Sequence, residues 1–347
     1  MNRGSIALKA MTQRNKLSNI LETASTRPLP KVFFAWYLPY MSKPVINGII
    51  DLIGNTPLVP IRVLTKELPD NVRVLVKAEW MNPGGSVKDR AARSIVEDAW
   101  QKGHLKPGGV LLDASSGNTG IAYSMLAAAM GFKLKLCLPA NANPERKRTL
   151  IAYGAELILT DPAEGSDGAI VEAQKLSAAN PDWFYADQYN NDANWQAHFR
   201  TTGPELVEQT SGKLTHFVGG LGTSGTCMGV GRYLREHLPS AELIAVQPDG
   251  PFHGLEGMKH MESAIVPGIY DPQVPHHQRV CSTEAAYETV LAMARQEGLL
   301  IGISAGSLVK TAIDVAKEEA AAGREALIVA LCCDGGDRYL SEHFWEN

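Results

Sequence analysis

Cysteine is scarce in this sequence, and its positions exclude the sites that cysteines commonly build. The 347 residues contain five cysteines, an odd number with no C-x-x-C spacing. Neither a disulfide framework nor a zinc site is therefore expected, and reduced thiols indicate a cytoplasmic protein. The motifs H-E-x-x-H and G-x-x-x-x-G-K-[ST] are also missing, so metal catalysis has no support.

Charge of one sign and long apolar runs are lacking as well. Lys and Arg number 33 against 37 Asp and Glu, which gives a net charge of −4. A general binder of nucleic acids or anionic membranes would be expected to be basic, so neither partner is expected. No apolar run approaches the roughly 20 residues of a membrane-spanning helix. With 45% hydrophobic residues, the chain can build a sizeable core, and its length predicts two lobes.

The first 45 residues differ in composition from the rest of the chain. Positions 1–40 contain six basic residues and one acid, Glu22, and Met41 begins a segment that would serve as a natural start. We expect residues 1–45 to form a poorly ordered N-terminal extension or to reflect an over-extended start site. A transit peptide, which is basic and poor in acids, and a cap over the core that uses residues 33–40 remain alternatives.

From residue 70 onward, short β-branched runs alternate with helical patterns, which indicates an α/β fold of mainly parallel sheets with helices on both faces. Strands are predicted at 72–78, 110–113, 134–138, 156–160, 216–218, 242–247, 299–303 and 327–331. Helices are predicted at 90–101, 119–130, 144–153, 167–179, 226–237, 283–297 and 308–322. In such folds, ligands bind at the carboxyl ends of strands, in the loops that lead into helices.

Two such loops lie in the first half of the chain. Residues 82–90, NPGGSVKDR, place Lys88 at a predicted helix start, where the positive end of the helix dipole favours a neutral amine. A Schiff-base lysine needs that form, although an ordinary turn with a solvated lysine is equally compatible. Residues 113–120, DASSGNTG, offer backbone N–H groups that suit a substrate carboxylate, or they form only a capped helix start.

Two further loops lie in the second half. Residues 219–226, GGLGTSGT, predict a phosphate cradle, because glycines allow close approach and three hydroxyls suit one phosphate. The same glycines match G-x-G-x-x-G, and with Asp249 they leave an NAD-dependent dehydrogenase open. Residues 302–306, GISAG, match the hydrolase motif G-x-S-x-G. A serine hydrolase is disfavoured, because only one strand is predicted after Ser304 and His343 lies near the chain end.

Together the four loops occur in the order and spacing of the pyridoxal-phosphate-dependent β-family, known as fold type II. The chain resembles the cysteine synthases of this family, in particular their B type, over residues 46–345. GNTPL at 54–58, TGPE at 202–205, THF at 215–217 and CDGGDRYL at 333–340 strengthen the resemblance. It implies two lobes, each a twisted, mostly parallel sheet with helices on both faces, with pyridoxal phosphate in the cleft between them.

The resemblance also implies a division into domains. A large domain of residues 46–81 and 192–347 would bind the cofactor phosphate. A smaller, mobile domain of residues 82–191 would carry the Schiff-base lysine and the loop for the substrate carboxylate. A homodimer is the assembly that the family suggests.

Site residues carry over position by position. Lys88 would hold the cofactor in a Schiff base and later move protons, and Asn118 would bond the cofactor's 3′ oxygen. Ser304 would face the pyridine nitrogen; its neutral hydroxyl would favour loss of a β leaving group over transamination. The phosphate loop would be Gly222, Thr223, Ser224, Gly225 and Thr226. The carboxylate loop would be Ser115, Ser116, Gly117, Asn118 and Thr119, assisted by Gln188.

The implied activity is L-cysteine formation by β-replacement. O-acetyl-L-serine or O-phosphoserine would lose acetate or phosphate through an aminoacrylate intermediate, and sulfide or thiosulfate would add. A cystathionine β-synthase that uses homocysteine, and a catalytically dead binding protein on the same fold, remain alternatives. The sequence does not rank the sulfur donors.

Three positions depart from the family pattern. Ser224 stands where Gly or Thr is common, and Asp192 replaces a proline that commonly follows Asn-Asn. In the B type, one or two arginines lie near the cleft before the VPG loop, whereas here Lys259 and His260 precede Val266. We hypothesise that Lys259 keeps a cation for an anionic substrate such as thiosulfate or O-phosphoserine; a solvated lysine is the alternative.

Overall fold

The computed structural model describes residues 48–346, so the expected extension of residues 1–45 lies outside the described part of the chain. Residues Gly48–Asn347 form one compact unit. The described residues include the strands β1 Leu58–Pro60, β2 Val72–Ala78, β3 Val110–Ala114, β4 Lys133–Pro139, β5 Glu156–Thr160, β6 Phe184–Tyr185, β7 His216–Gly220, β8 Glu242–Pro248, β9 His277–Cys281 and β10 Ala326–Cys332.

These strands form two sheets. The larger sheet has the order β1-β2-β10-β7-β8-β9, and the smaller sheet has the order β5-β4-β3-β6. Strand β1 runs antiparallel to β2, and the other neighbouring strands are parallel. Nearly continuous burial along β2, β7, β8 and β10 is typical of parallel strands that are covered on both faces. The predicted α/β fold is confirmed.

Helices connect the strands. In chain order they are α1 Lys88–Gln101, α2 Asn118–Met130, α3 Pro144–Ala152, α4 Gly165–Ala179, α5 Asp192–Arg200, α6 Thr202–Gln209, α7 Gly225–His237, α8 Thr283–Ala292 and α9 Ile303–Ala321. A π-helical turn, Met293–Glu297, extends α8. Among the described residues, no helix is long and apolar enough to cross a membrane.

Each sheet has its own hydrophobic core. The main core surrounds the larger sheet and includes Phe217, Leu243 and Ile328. A second core includes Ile95 of α1 and Leu126 of α2, which pack with Leu136 of β4. The strands of the smaller sheet come from residues 110–185, and those of the larger sheet come from the rest of the described chain. The domain boundaries at 82 and 191 stay predictions, as does the mobility of the smaller domain.

Most predicted elements exist, but one predicted strand is wrong. Residues 299–303 form a single bridge, between Ile301 and Gly335, because they meet the turn-rich segment after β10 rather than another strand. The chain then enters α9 at Ile303, earlier than the predicted start at 308. The sequence pattern does not predict β1, β6, β9, α5 and α6, which the structure contains.

Candidate active site

One cavity of about 580 Å³ collects every predicted site residue. Four helices begin at its wall: α1 at Lys88, α2 within the carboxylate loop, α7 within the phosphate loop and α9 next to Ser304. Gln188 and Lys259 complete the predicted set. Because the first N–H groups of a helix have no intrahelical partner, four convergent helix starts suit a ligand with several anionic groups. The individual roles of these residues stay predictions.

Lys88 presents a free amine to this cavity. It is the first residue of α1, and its Nζ has no hydrogen-bond or ion-pair partner among residues 48–346. The preceding residue is anchored, since Val87 N donates to Cys333 O at 2.8 Å. Lys77 is the opposite case: it is fully buried, and its Nζ donates to Glu205 Oε2 at 2.6 Å. The Lys88 amine is thus open to a ligand in the cavity, whereas the Lys77 amine is not.

A buried ion network fixes the helix that carries Lys88. Arg90, in the first turn of α1, donates from Nε to Glu79 Oε2 at 2.8 Å and from Nη1 to Glu205 Oε1 at 2.6 Å. Burial by itself would raise the pKa of Glu79, but the Arg90 guanidinium lowers it to about 2. Both carboxylates therefore stay charged, and they tie α1 to α6 and to the 3-10 turn Glu79–Met81 that follows β2.

The carboxylate loop is held by its own side chains. Thr119 Oγ1 donates to Gln188 Oε1 at 2.8 Å, and Gln188 Nε2 donates to Ala114 O at 3.1 Å. Ser115 Oγ accepts from Gly120 N at 3.1 Å. These contacts brace the loop from behind, and the N–H groups of Asn118 and Thr119, at the start of α2, remain for an anion.

The phosphate loop fits a phosphate monoester. Ser224 is the N-cap of α7 with φ 68°, and its buried Oγ lacks a hydrogen-bond partner among the described residues. A buried hydroxyl without a partner is costly, and a phosphate oxygen would satisfy it. A methyl group added to Gly222 would overlap the carbonyl oxygen of Gly257, so the loop is closely backed. The residues present thus match the group that pyridoxal phosphate would place here.

The structure also explains two departures from the family pattern. A left-handed φ at Ser224 is a conformation that glycine adopts without strain, which fits the glycine expected at this place from the family pattern. Asp192 is the first residue of α5, behind the N-cap Asn191, and accepts from Trp195 Nε1 at 2.8 Å. Both proline and acids suit the first turn of a helix, so the exchange preserves the helix start.

Several cavity residues escaped the sequence reasoning. Arg146 of α3 donates from Nη2 to Glu256 Oε2 at 2.8 Å, and its guanidinium lies 5.3 Å from the centre of the Tyr339 ring. Asp334 accepts hydrogen bonds from Asn118 and Tyr339. The motif at 333–340 contained a signal for Asp334 and Tyr339, whereas nothing in the sequence marked Arg146.

Comparison with known proteins agrees with this geometry. A family model described as "Pyridoxal-phosphate dependent enzyme" matches residues 49–334. A cysteine synthase from Aquifex aeolicus is 47% identical over 295 residues, which cover 84% of this chain and 90% of that protein. Cysteine synthase B from Salmonella typhimurium is 42% identical over 306 residues, with 86% and 98% covered.

Solved structures agree as well. The crystal structure of a cysteine synthase (OASS) from Entamoeba histolytica matches with a TM-score of 0.83 and 33% identity, over 88% of this chain and 96% of that one. The family match replaces the dehydrogenase interpretation of Gly220, Gly222 and Gly225. The chain therefore belongs to the family of pyridoxal-phosphate-dependent enzymes, with the fold type II architecture of that family.

Proposed function

We propose that the protein is a cysteine synthase, a transferase that makes L-cysteine by β-replacement on O-acetyl-L-serine or O-phosphoserine, with sulfide or thiosulfate as the sulfur donor. The observation that carries the proposal is the convergence of Lys88, the carboxylate loop and the phosphate loop on one cavity. Relatives that are named cysteine synthase, and that align with this chain over most of their length, support it.

Lys88 is the proposed catalytic base. Bound pyridoxal phosphate supplies the electron sink that makes the α-carbon acidic and lets the β leaving group depart. The Lys88 amine holds the cofactor and, once released, takes the proton from the substrate's α-carbon. Its place on a helix fixed by Arg90 keeps Nζ in reach of that carbon.

The other loops bind and orient. Residues 222–226 and the start of α7 hold the phosphate, and the N–H groups at the start of α2 hold the substrate carboxylate. Ser304 offers a neutral hydroxyl to the pyridine nitrogen. Asn118, whose amide lies at the cavity wall, binds the cofactor's 3′ oxygen.

Cleft closure belongs to the same proposal. Residues 82–191 would move as the smaller domain and close over the substrate once its carboxylate is bound. The Arg146–Glu256 ion pair connects α3 of this domain to the loop after β8, and both side chains line the cavity. The pair would hold the cleft closed while the leaving group departs.

Lys259 is the proposed determinant of anionic substrates. Its ammonium lies 5.0 Å from the centre of the Tyr189 ring, on the cavity wall. We expect Lys259→Ala to lower kcat/KM for O-phosphoserine and thiosulfate more than for O-acetylserine and sulfide. Unchanged preference in this panel would contradict the role. Homocysteine belongs in the same panel, and efficient turnover with it would favour a cystathionine β-synthase.

A homodimer in the cytoplasm is the proposed state of the enzyme. The support is the resemblance to the family and the reduced state expected of five cysteines without disulfide spacing. Sedimentation equilibrium of the full chain at several concentrations would test the assembly. A mass near 37.5 kDa at all concentrations would contradict the dimer.

A further inference from the structure

We propose that His198 is a positioning residue for the cofactor phosphate, because its imidazole makes the Thr226 hydroxyl a hydrogen-bond donor toward that phosphate. The inference rests on the proposed function, in which residues 222–226 hold the phosphate. His198 lies outside the cavity lining and is placed behind the loop by α5, a helix that the sequence did not predict.

His198 connects two buried hydroxyls. Its Nδ1 lies 2.9 Å from Thr202 Oγ1, and its Nε2 lies 3.2 Å from Thr226 Oγ1. Thr202 is fully buried on α6, and Thr226 lies in the first turn of α7, at the cavity wall. The three side chains thus form a continuous row from α6 through α5 to the phosphate loop.

The imidazole has little room to leave this row. His198 is 2% exposed. A methyl group added to Gly229 of α7 would overlap Trp195 O and His198 Cβ, so the backbones of α5 and α7 are in close contact. Asn194, one turn earlier on α5, donates from Nδ2 to Gln188 O at 2.7 Å. Helix α5 therefore holds both loops of the site from behind.

The imidazole is neutral in this place. Burial, reinforced by the positive charge of Arg90, lowers the pKa of His198 to about 3. A neutral imidazole has one N–H donor and one acceptor nitrogen. One of its two hydroxyl partners must therefore donate to it, and the other must accept from it.

The phosphate decides between the two tautomers. If Nδ1 carried the hydrogen, Thr226 would donate its only hydrogen to Nε2 and turn oxygen lone pairs toward an anion. If Nε2 carries the hydrogen, it donates to Thr226 Oγ1, and the Thr226 hydrogen is free for a phosphate oxygen. Thr202 then donates to Nδ1, so all hydrogen bonds in the row run in one direction and reinforce one another.

The tautomer can be measured directly in the holoenzyme. With ¹⁵N-labelled histidine, we expect the His198 Nε2 to show the protonated signature and Nδ1 the unprotonated one. The spectrum of His198→Gln identifies the signals. A protonated Nδ1, alone or in a charged ring, would overturn the proposal.

Cofactor affinity provides the second test, with apo-protein titrated with pyridoxal phosphate. Gln places an N–H near the position of Nε2, whereas Leu has no polar atom. We expect His198→Leu to weaken pyridoxal phosphate binding about 10- to 100-fold, because the hydrogen bond that is lost supports a contact with a charged group. His198→Gln should bind within about threefold of wild type. Equal affinities of His198→Leu and wild type, or equal losses in Leu and Gln, would overturn the proposal.

Further variants test whether His198 acts through Thr226 and whether its replacement affects only folding. If His198 acts through Thr226, then adding His198→Leu to Thr226→Val costs no further affinity; additive losses would contradict this. His216→Leu, at the other end of β7 with Thr215 and Glu242 as partners, is the matched buried control and should bind as wild type. Should His198→Leu not fold, Thr202→Val keeps the ring and is expected to keep the hydrogen on Nε2, because the phosphate still requires the Thr226 hydrogen and valine offers no acceptor to Nδ1; a hydrogen on Nδ1 in this holoenzyme would count against the proposal.

Cofactor binding by the Thr226→Val and His198→Leu variants distinguishes a wrong phosphate-loop assignment from a wrong role for His198. If Thr226→Val binds pyridoxal phosphate as tightly as wild type, the assignment of residues 222–226 is wrong, whatever His198 does. If Thr226→Val is weakened but His198→Leu is not, the loop assignment stands and the positioning role of His198 is wrong.

Discussion

The Asn118 side chain is held by Asp334, with Nδ2 donating to Oδ2 at 2.7 Å. The same oxygen accepts from the Tyr339 hydroxyl at 2.5 Å, and Arg338 donates to Asn118 Oδ1. A guanidinium only donates, so the amide oxygen faces Arg338 and the nitrogen faces Asp334. The second hydrogen on Nδ2 is then left for an acceptor in the cavity, which is the role proposed for Asn118 toward the cofactor's 3′ oxygen.

Removing the carboxylate should therefore loosen Asn118. We expect Asp334→Ala to weaken pyridoxal phosphate binding about fivefold, the size of one ordinary hydrogen bond, and to shift the visible band of the bound cofactor. Apo-protein titration and an absorbance spectrum measure both effects. Asp337→Asn, a nearby exposed acid, is the control. A band and affinity that match wild type would show that Asn118 is oriented without Asp334.

Asp113 predicts a specific pH dependence of stability. It lies buried at the end of β3, and burial raises its pKa to about 7. Between about pH 4 and 7 the folded protein keeps this proton and the unfolded chain loses it, so the stability contributed by Asp113 is complete at low pH and is lost as pH rises. Relative to Asp113→Asn, wild type should lose about 1.4 kcal/mol of unfolding free energy per pH unit in this window. Urea titrations in which the unfolding free energies of wild type and Asp113→Asn differ by the same amount at every pH would contradict this prediction.

The close backing of the phosphate loop can be tested with one methyl group. Gly222→Ala forces the added carbon against the Gly257 carbonyl oxygen, and overpacking of this kind costs about 1–3 kcal/mol. We expect a lower melting temperature and weaker cofactor binding. Gly250→Ala, where an added methyl meets nothing within 4 Å, is the control and should match wild type. Equal behaviour of the two variants would mean that the loop is not closely backed.

The Arg146–Glu256 pair makes a prediction about closure. The Arg146 side chain is 11% exposed, so Glu256→Gln leaves a largely buried charge without its carboxylate. We expect faster hydrogen exchange in α3 and a raised KM for the amino-acid substrate, because the cleft spends less time closed. Glu318→Gln, which breaks the exposed pair with Arg279, should change neither quantity. Unaltered exchange in α3 would remove the basis for a closing contact.

The four loops of the site were predictable from sequence because their residue types describe backbone geometry directly. Gly222 is required by a close backbone approach, and the small residues at 115–119 leave N–H groups open at the start of α2. The buried parallel strands were also predictable, since short valine-rich runs such as Val72–Ala78 are typical of strands that are covered on both faces.

Helix α5 and strand β9 were not predictable for physical reasons. Two of the four buried residues of α5 are polar, Asn194 and His198, because they face the phosphate loop rather than a hydrophobic core. The helix therefore lacks an apolar stripe. Strand β9 lies at the edge of the larger sheet and is exposed at four of its five positions, so it shows no alternation. Partners as distant in sequence as Arg146 and Glu256 leave no local pattern at all.

The most direct measurement concerns which lysine carries the cofactor. Borohydride fixes a lysine-bound pyridoxal phosphate as a stable secondary amine, and mass spectrometry of the digested protein locates it. We expect the label on the peptide that contains Lys88, and no labelled peptide in Lys88→Ala. A label on Lys259, the other lysine at the cavity wall, or an unlabelled wild-type enzyme would contradict the assignment of Lys88.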